Sequence, residues 1–470
     1  MDKLLKPRIT KFTEAGQMEG LVPRVARSWF YANEISSIYN MTTPNLTTPV
    51  NVAVVSFGGG LYGTLSPTGV LTNGDCQSYW QSIGIAPANM PKVVVIPING
   101  ARNLPNINDG GSTMENTLDV QQIGACCPSS NLTIVLYISP NSLAQFPVML
   151  NYILNTSTYK PSVISVSWGA PEVYYSVSLL NSINTVLNTA VTRGINVTVA
   201  TGDNGSNDGV GGTGTYTDFP AASPNVVACG GTNLVCPNLV YDGSTTETAW
   251  SSGGGAVSGY FSAPTYQSGL ARPRRSIPDV AMNADPATGI LYRINNTNYI
   301  VGGTSVVAPA MAGYLMAINA KTFVNPILYS TRSGFHDIQS GSNGAFTAVL
   351  GYDNCTGLGS IIGSILTPAI LSNAPPPPPP PPTVVNVTSV TVSQGSATLS
   401  LRGTKTVQLT PTVLPTNATN KAVTWSSSNS RTATVSSTGL VTGVRTGTCQ
   451  ITVRTADQNK TAVCNITVRA

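Results

Sequence analysis

Histidine is almost missing from this chain: His336 is the only one in 470 residues. Sites built on several imidazoles, such as multi-histidine zinc centres, are therefore excluded. Charge is also scarce. Asp, Glu, Lys and Arg make up 9% of the residues, against about 25% in ordinary soluble domains. Surface polarity must come from Ser, Thr, Asn and Gly, and such a surface changes little in charge when carboxylates protonate. The net charge of +5 is spread out, with no basic cluster interleaved with aromatics, which argues against nucleic acid as a partner. No apolar run approaches the roughly 20 residues of a membrane span. The N-terminus, MDKLLKPRITKFTEAG, carries charges and a proline where a signal peptide needs an apolar core.

Eight cysteines contain no metal-style CxxC pair. Cys229 and Cys236 flank a short, turn-like stretch, and Cys449 and Cys464 fall on neighbouring predicted strands. Either pair could be a disulfide; free buried thiols are the alternative. Sequons at Asn131, Asn155, Asn196 and Asn295 carry little weight in a chain rich in Asn and Thr.

What the chain does have is a clear division. The proline run Pro375 to Pro382 reads as a stiff polyproline II spacer. Four regions follow: an N-terminal extension (1–27), a large domain (28–374), the linker (375–382) and a small domain (383–470). In the large domain, NVAVVSF, KVVVIPI, LTIVLYI, SVISVSW and INVTVAT are continuous apolar runs, as expected of parallel strands covered on both faces. Helical stretches at Met114–Cys126 and Val177–Arg193 separate them. The pattern predicts an α/β fold with a doubly wound, mostly parallel sheet, whose ligands bind outside the carboxyl ends of the strands. The last region alternates in short strands broken by turns, as in an all-β sandwich.

Chemistry concentrates at glycine turns after strands. VGGTSVVAPAMAG puts Ser305 between a strand and an apolar helix, where it could be a nucleophile or an N-cap. Its base is the difficulty, since His336 lies in a separate loop motif, GFHDIQSG, and reads as a loop histidine. A carboxylate is the other option. GGSTMENTLDVQQIGA places Glu115 and Asp119 four residues apart on one helix face. Two close carboxyls tend to share a proton and push one pKa up, which suits a base and its partner. The same segment also fits a capping box, with Ser112 as N-cap and Glu115 at the third helical position. In ATGDNGS, Asp203 could donate to a developing oxyanion if protonated, or could shape an Asx turn.

The segments MENTLDVQ, SVSWG, ATGDNGS, FPAASPNVVACGGT, RSIPDVAMNADPATG, GGTSVVAP and FHDIQSGSNG…GYDNCTGLGS occur in that order. Together they resemble the sedolisin family of serine-carboxyl peptidases, over about Ser28 to Asn373. The resemblance implies a subtilisin-like fold and acid-acting endopeptidase activity on protein or peptide substrates. It implies Ser305 as nucleophile, Glu115 as base, Asp119 as its partner and Asp203 as oxyanion acid. Ser167, Trp168 and Gly169 would line the substrate cleft; Trp168 as a core anchor is compatible with that. It also implies one structural calcium ion, held by Asp337 and Asp353 with the carbonyls of Ile338, Val349 and Gly351. Val349 stands where the family usually has glycine.

The family usually carries a long N-terminal prosegment, whereas about fifty residues precede the first core strand here. AVTWSSSNSRTATVSSTGLVTGVRTGTCQITV in the tail is similar to a bacterial Ig-like domain of group 2, with Trp425, Gly439, Gly443 and Gly447 fitting the pattern. Such a domain implies a surface ligand and an extracellular or surface location. Two other readings stand beside the peptidase: a catalytically silent adhesion protein, and a subtilisin-type enzyme using His336.

Overall fold

The computed structural model describes residues 5–7, 10–14, 27–372 and 385–470. The proline run expected as a linker lies outside the described residues. The chain divides into two compact units, Met1–Pro376 and Pro377–Ala470.

The first unit is built on a sheet whose six middle strands are all parallel. Their spatial order is Val227–Val235, Asn196–Ala200, Pro161–Val166, Val50–Phe57, Leu132–Ser139 and Lys92–Pro97. Val280–Asn283 adds in parallel to the first of these, and antiparallel strands close both edges. The apolar runs are continuous because both faces are covered. Along Val50–Phe57, Val52 and Val54 enter one core, while Ala53, Val55 and Phe57 enter the other. The first core takes the helices Ser112–Cys126 and Val307–Ala317; the second takes Gln145–Asn151 and Val177–Thr192. This is the expected doubly wound α/β arrangement.

Four local expectations need correction. SVISVSW is not one strand: the chain leaves the main sheet at Ser167, and Trp168–Pro171 pairs in a separate sheet between Lys6–Pro7 and Asp218–Phe219. The stretch between Cys229 and Cys236 is not a turn. It belongs to the strand Val227–Val235, which at about 3.3 Å per residue holds the two sulfurs roughly 20 Å apart. All eight cysteines are free and buried. Cys449 faces Ile466 and Cys464 faces Ile451, so the second pair sits on adjacent strands out of register. The capping box is also absent, because Gly111, at φ 101°, precedes the helix and Ser112 is its first residue.

The second unit is all β. Ser396–Ser400, Thr461–Arg469, Gly447–Thr455 and Val423–Ser427 form one sheet, and Thr406–Gln408, Leu440–Gly443 and Ala433–Val435 another. Leu399, Leu409, Val441, Ile451, Ile466 and Val468 fill the core between them. No helix among the described residues is long and apolar enough to cross a membrane.

Candidate active site

The helix Ser112–Cys126 breaks the usual rule for a surface helix. All of it except Met114 is buried, including Glu115, Asn116, Thr117, Asp119, Gln121 and Gln122. A helix buried all round should be apolar all round; Asn116, Thr117 and Gln121 bond to the backbone of Gly58, Thr113 and Arg293, which leaves the buried carboxyls of Glu115 and Asp119 to mark a site. With the N-terminal turn capped by Asp109, whose carboxylate accepts from the Thr113 N–H at 3.1 Å, the Glu115 side chain is released from any capping duty.

Glu115 and Asp119 are both wholly shielded from solvent. Asp119 Oδ1 accepts from the Ser167 hydroxyl at 2.7 Å, so the break after the Pro161–Val166 strand positions the second carboxyl. Burial pushes the Glu115 carboxyl well above the ordinary range, and the charges of Asp119 and Asp203 push it further; the Ser305 and Ser167 hydroxyls pull it down. Burial also raises Asp119, opposed by hydrogen bonding from Ser167 and Glu115. The Ser305 hydroxyl is near enough to favour the Glu115 carboxylate, yet neither group makes a closed hydrogen bond. Such loose contacts are common in a resting site and tighten around substrate.

Ser305 sits in the turn Thr304–Val306 between the strand Thr297–Gly302 and the helix Val307–Ala317, fully buried. Its side chain makes no cap hydrogen bond, so the N-cap alternative is not realised. Asp203 follows the strand Asn196–Ala200 and reaches the same turn. Its Oδ1 accepts from the Thr304 N–H at 2.8 Å and the Thr304 hydroxyl at 2.9 Å, while that hydroxyl accepts from Gly202 N–H at 3.1 Å. Thr304 was not anticipated from the sequence; it lashes the aspartate loop to the serine turn. Thus three segments far apart in sequence, carrying Glu115 and Asp119, Asp203, and Ser305, converge.

Of the three residues expected in the cleft, Ser167 is bound to Asp119. Trp168 is 1% exposed and packs edge-on against Phe57 at 5.7 Å between ring centroids. Gly169 faces Lys6 and Trp168 faces Pro7 in an antiparallel pairing. Further along, Thr10–Glu14 pairs antiparallel with Thr297–Gly302, the strand that leads to Ser305. The N-terminal segment therefore lies along both strands that frame the site.

His336 is elsewhere. It pairs antiparallel with Ser360 and stacks on Tyr241 at 3.4 Å, and burial lowers its pKa to about 4. The ring is committed to Tyr241, which removes the ground for a histidine-based site. The five residues expected to hold calcium share one loop cluster. Asp337 accepts from the Gly351 N–H at 3.1 Å, and Asp353 Oδ2 from the Val349 N–H at 3.0 Å. Gly351 takes the positive φ of 85°, and Val349 does not, so valine fits where glycine was expected. Ile338 is buried beside Asp337. Both carboxylates accept from backbone N–H groups here, and among the described residues no group of three or more His, Cys, Asp or Glu side chains is placed to hold a metal ion.

Comparison with known proteins agrees with this geometry. Kumamolisin of Bacillus sp. (strain MN-32) is 35% identical over 350 residues, covering 69% of this chain and 60% of its own length. Sedolisin of Pseudomonas sp. (strain 101) is 26% identical over 373 residues, covering 72% and 61%. The chain thus spans about three fifths of the length of these relatives. The solved structure of Pseudomonas sedolisin, a serine-carboxyl proteinase complexed with pseudo-iodotyrostatin, superimposes with a TM-score of 0.62 at 26% identity, covering 73% of this chain and 98% of that one. Residues 386–466 match the bacterial Ig-like domain, group 2. The large domain is homologous to the serine-carboxyl peptidases kumamolisin and sedolisin, and a bacterial Ig-like domain of group 2 follows it.

Proposed function

We propose that the protein is an acid-acting serine endopeptidase that hydrolyses peptide bonds through an acyl-enzyme on Ser305. The observation that supports this most is the buried carboxyl pair beside the serine: Glu115, whose carboxylate the Ser305 hydroxyl favours without a closed hydrogen bond, and Asp119, fixed by Ser167. In the proposed scheme Glu115 takes the Ser305 proton as Oγ bonds to the peptide carbonyl carbon. Asp203, protonated, donates to the oxyanion together with the Ser305 N–H. The C–N bond breaks, and Glu115 returns the proton to the departing amine. Water, deprotonated by Glu115, then attacks the ester and frees Ser305.

An extended peptide would add as a strand beside Trp168–Gly169, as Lys6–Pro7 does. Asp337, Asp353 and the carbonyls of Ile338, Val349 and Gly351 would hold one calcium ion, which ties the loop together and takes no part in the reaction. The Ig-like unit would bind a surface ligand, in keeping with an extracellular or surface-associated protein. The deciding test is digestion of a denatured protein at roughly pH 3 to 5, the range of reference carboxyl pKa values. Wild type should cleave and Ser305→Ala should not; equal cleavage by both would overturn the mechanism.

A further inference from the structure

The strand that leads to Ser305 is one arm of a hairpin, Ile290–Ile294 paired with Thr297–Gly302. The other arm is gripped by the helix that carries the carboxyl pair. Gln121 lies two residues after Asp119 on Ser112–Cys126 and is 1% exposed. Its Nε2 donates to the Arg293 carbonyl at 2.6 Å, and its Oε1 accepts from the Arg293 N–H at 3.0 Å. The amide thus satisfies both backbone groups of one hairpin residue, as a neighbouring strand would. The Gln121 carbonyl in turn accepts from Trp80 Nε1 at 2.9 Å.

The hairpin tip is held from the same side. Trp80 belongs to the helix Asp75–Ser82, whose first residue reaches the turn. Asp75 accepts from the Asn295 N–H at 2.6 Å and the Asn296 N–H at 3.1 Å. Two residues of this helix therefore tie the turn and the carboxyl helix to each other. Tyr292, directly before Arg293, is buried, and the Glu115 charge acts on its phenol. The arm clasped by Gln121 is thus the one that lies beside the base.

Resting on the peptidase reading above, we propose that Gln121 is a positioning residue for the reaction: its amide sets the spacing between the nucleophile hairpin and the carboxyl helix, and with it the approach of Ser305 Oγ to Glu115. Glu115 and Gln121 share one helix, and the hairpin that carries Arg293 runs directly into the serine turn. The clasp therefore closes a short circuit of structure around the pair that exchanges the proton. A misplacement of about 1 Å between reacting groups costs roughly 100-fold in rate, so a small slip of the hairpin is enough to matter.

Two substitutions test this in the full chain. Gln121→Met keeps the length of the side chain and removes both bonds. Gln121→Glu, as a neutral acid, donates to the Arg293 carbonyl and accepts from the Arg293 N–H as the amide does. The readout is kcat and KM on one fluorogenic peptide against pH, per serine titrated with a peptide aldehyde, from which any loss of folded enzyme cancels. Gln121→Met should lower kcat by about 10- to 100-fold with KM within about twofold of wild type. Its acid limb should move to higher pH, because the Ser305 hydroxyl that lowers the Glu115 pKa is drawn away. Gln121→Glu should recover most of the wild-type kcat near pH 3, below the reference carboxyl pKa of about 4. Wild-type kcat and acid limb in Gln121→Met, or a Gln121→Glu variant as slow as Gln121→Met near pH 3, would overturn the positioning role while Ser305-dependent cleavage stands. No Ser305-dependent cleavage by wild type would overturn the peptidase reading and this role with it.

Discussion

Ser167 donates its hydroxyl to Asp119 Oδ1 at 2.7 Å, so the end of the strand Pro161–Val166 fixes the carboxyl that neighbours Glu115. In the proposed mechanism, substrate placement and base strength are thereby joined in one segment of chain.

The pH profile of catalysis should follow from this pair. Glu115 works only when ionised, and burial, then the Asp119 charge, raise its pKa. The acid limb of kcat/KM should therefore report the ionisation of this coupled pair. Asp119→Asn removes the charge that disfavours Glu115 ionisation, so the limb should move to lower pH. Activity should fall at the same time by roughly 100-fold, the usual scale of acid–base assistance. Rates on one peptide from pH 2 to 7 check both effects; an acid limb that stays in place would show that Asp119 does not act on Glu115 electrostatically.

Asp203 should matter as a donor. Asp203→Ala removes the group proposed to donate to the oxyanion and should lower kcat by about 100- to 1000-fold. Asp203→Asn keeps an oxygen for Thr304 and gains an N–H donor that never deprotonates. It should retain more activity than the alanine variant, and its alkaline limb should shift upward. Steady-state kinetics of the two variants against pH separates this role from that of a loop former, for which both substitutions would leave the alkaline limb where it is.

The parallel sheet was legible in the sequence because strands covered on both faces leave uninterrupted apolar runs, and Val50–Phe57 is the plainest case. The site was legible only in part. Ser305 and Asp203 announce themselves through glycine turns after strands. Glu115 and Asp119 look like helix capping until Gly111 takes the cap position and leaves the carboxylates buried. Thr304 gave no signal, since a threonine beside a serine is unremarkable until Asp203 is seen to grip it. Tertiary proximity of this kind has no periodicity to betray it. The Cys229–Cys236 stretch misled for the opposite reason: its paired glycines resemble a turn but lie flat in a strand.

Calcium should stabilise the loop that carries Asp337 and Asp353. In a Ser305→Ala background, which prevents self-digestion, added calcium should raise the Tm and chelation should lower it, as expected for a ligand that binds only the folded state. Asp337→Asn should abolish most of the response. A Tm indifferent to calcium and chelator alike would remove the ion from this protein.

Stability should also depend on pH in the direction opposite to that of most proteins. Glu115, Asp119 and Glu247 are buried, and burial raises the pKa of each above its unfolded value. The folded chain therefore holds these protons more tightly than the unfolded chain does. Their contribution is fully present below the unfolded carboxyl pKa of about 4 and is lost as pH rises through the folded values. In the Ser305→Ala background, Tm should be higher near pH 4 than near pH 7, by about 2 to 4 °C for each kcal/mol of linked stability. Glu115→Gln and Asp119→Asn together should flatten that slope, because an amide has no proton to lose. A Tm that climbs steadily from pH 4 to pH 7 would mean that these carboxyls are ionised in the resting fold, and Glu115 would then need no help from substrate to act as a base.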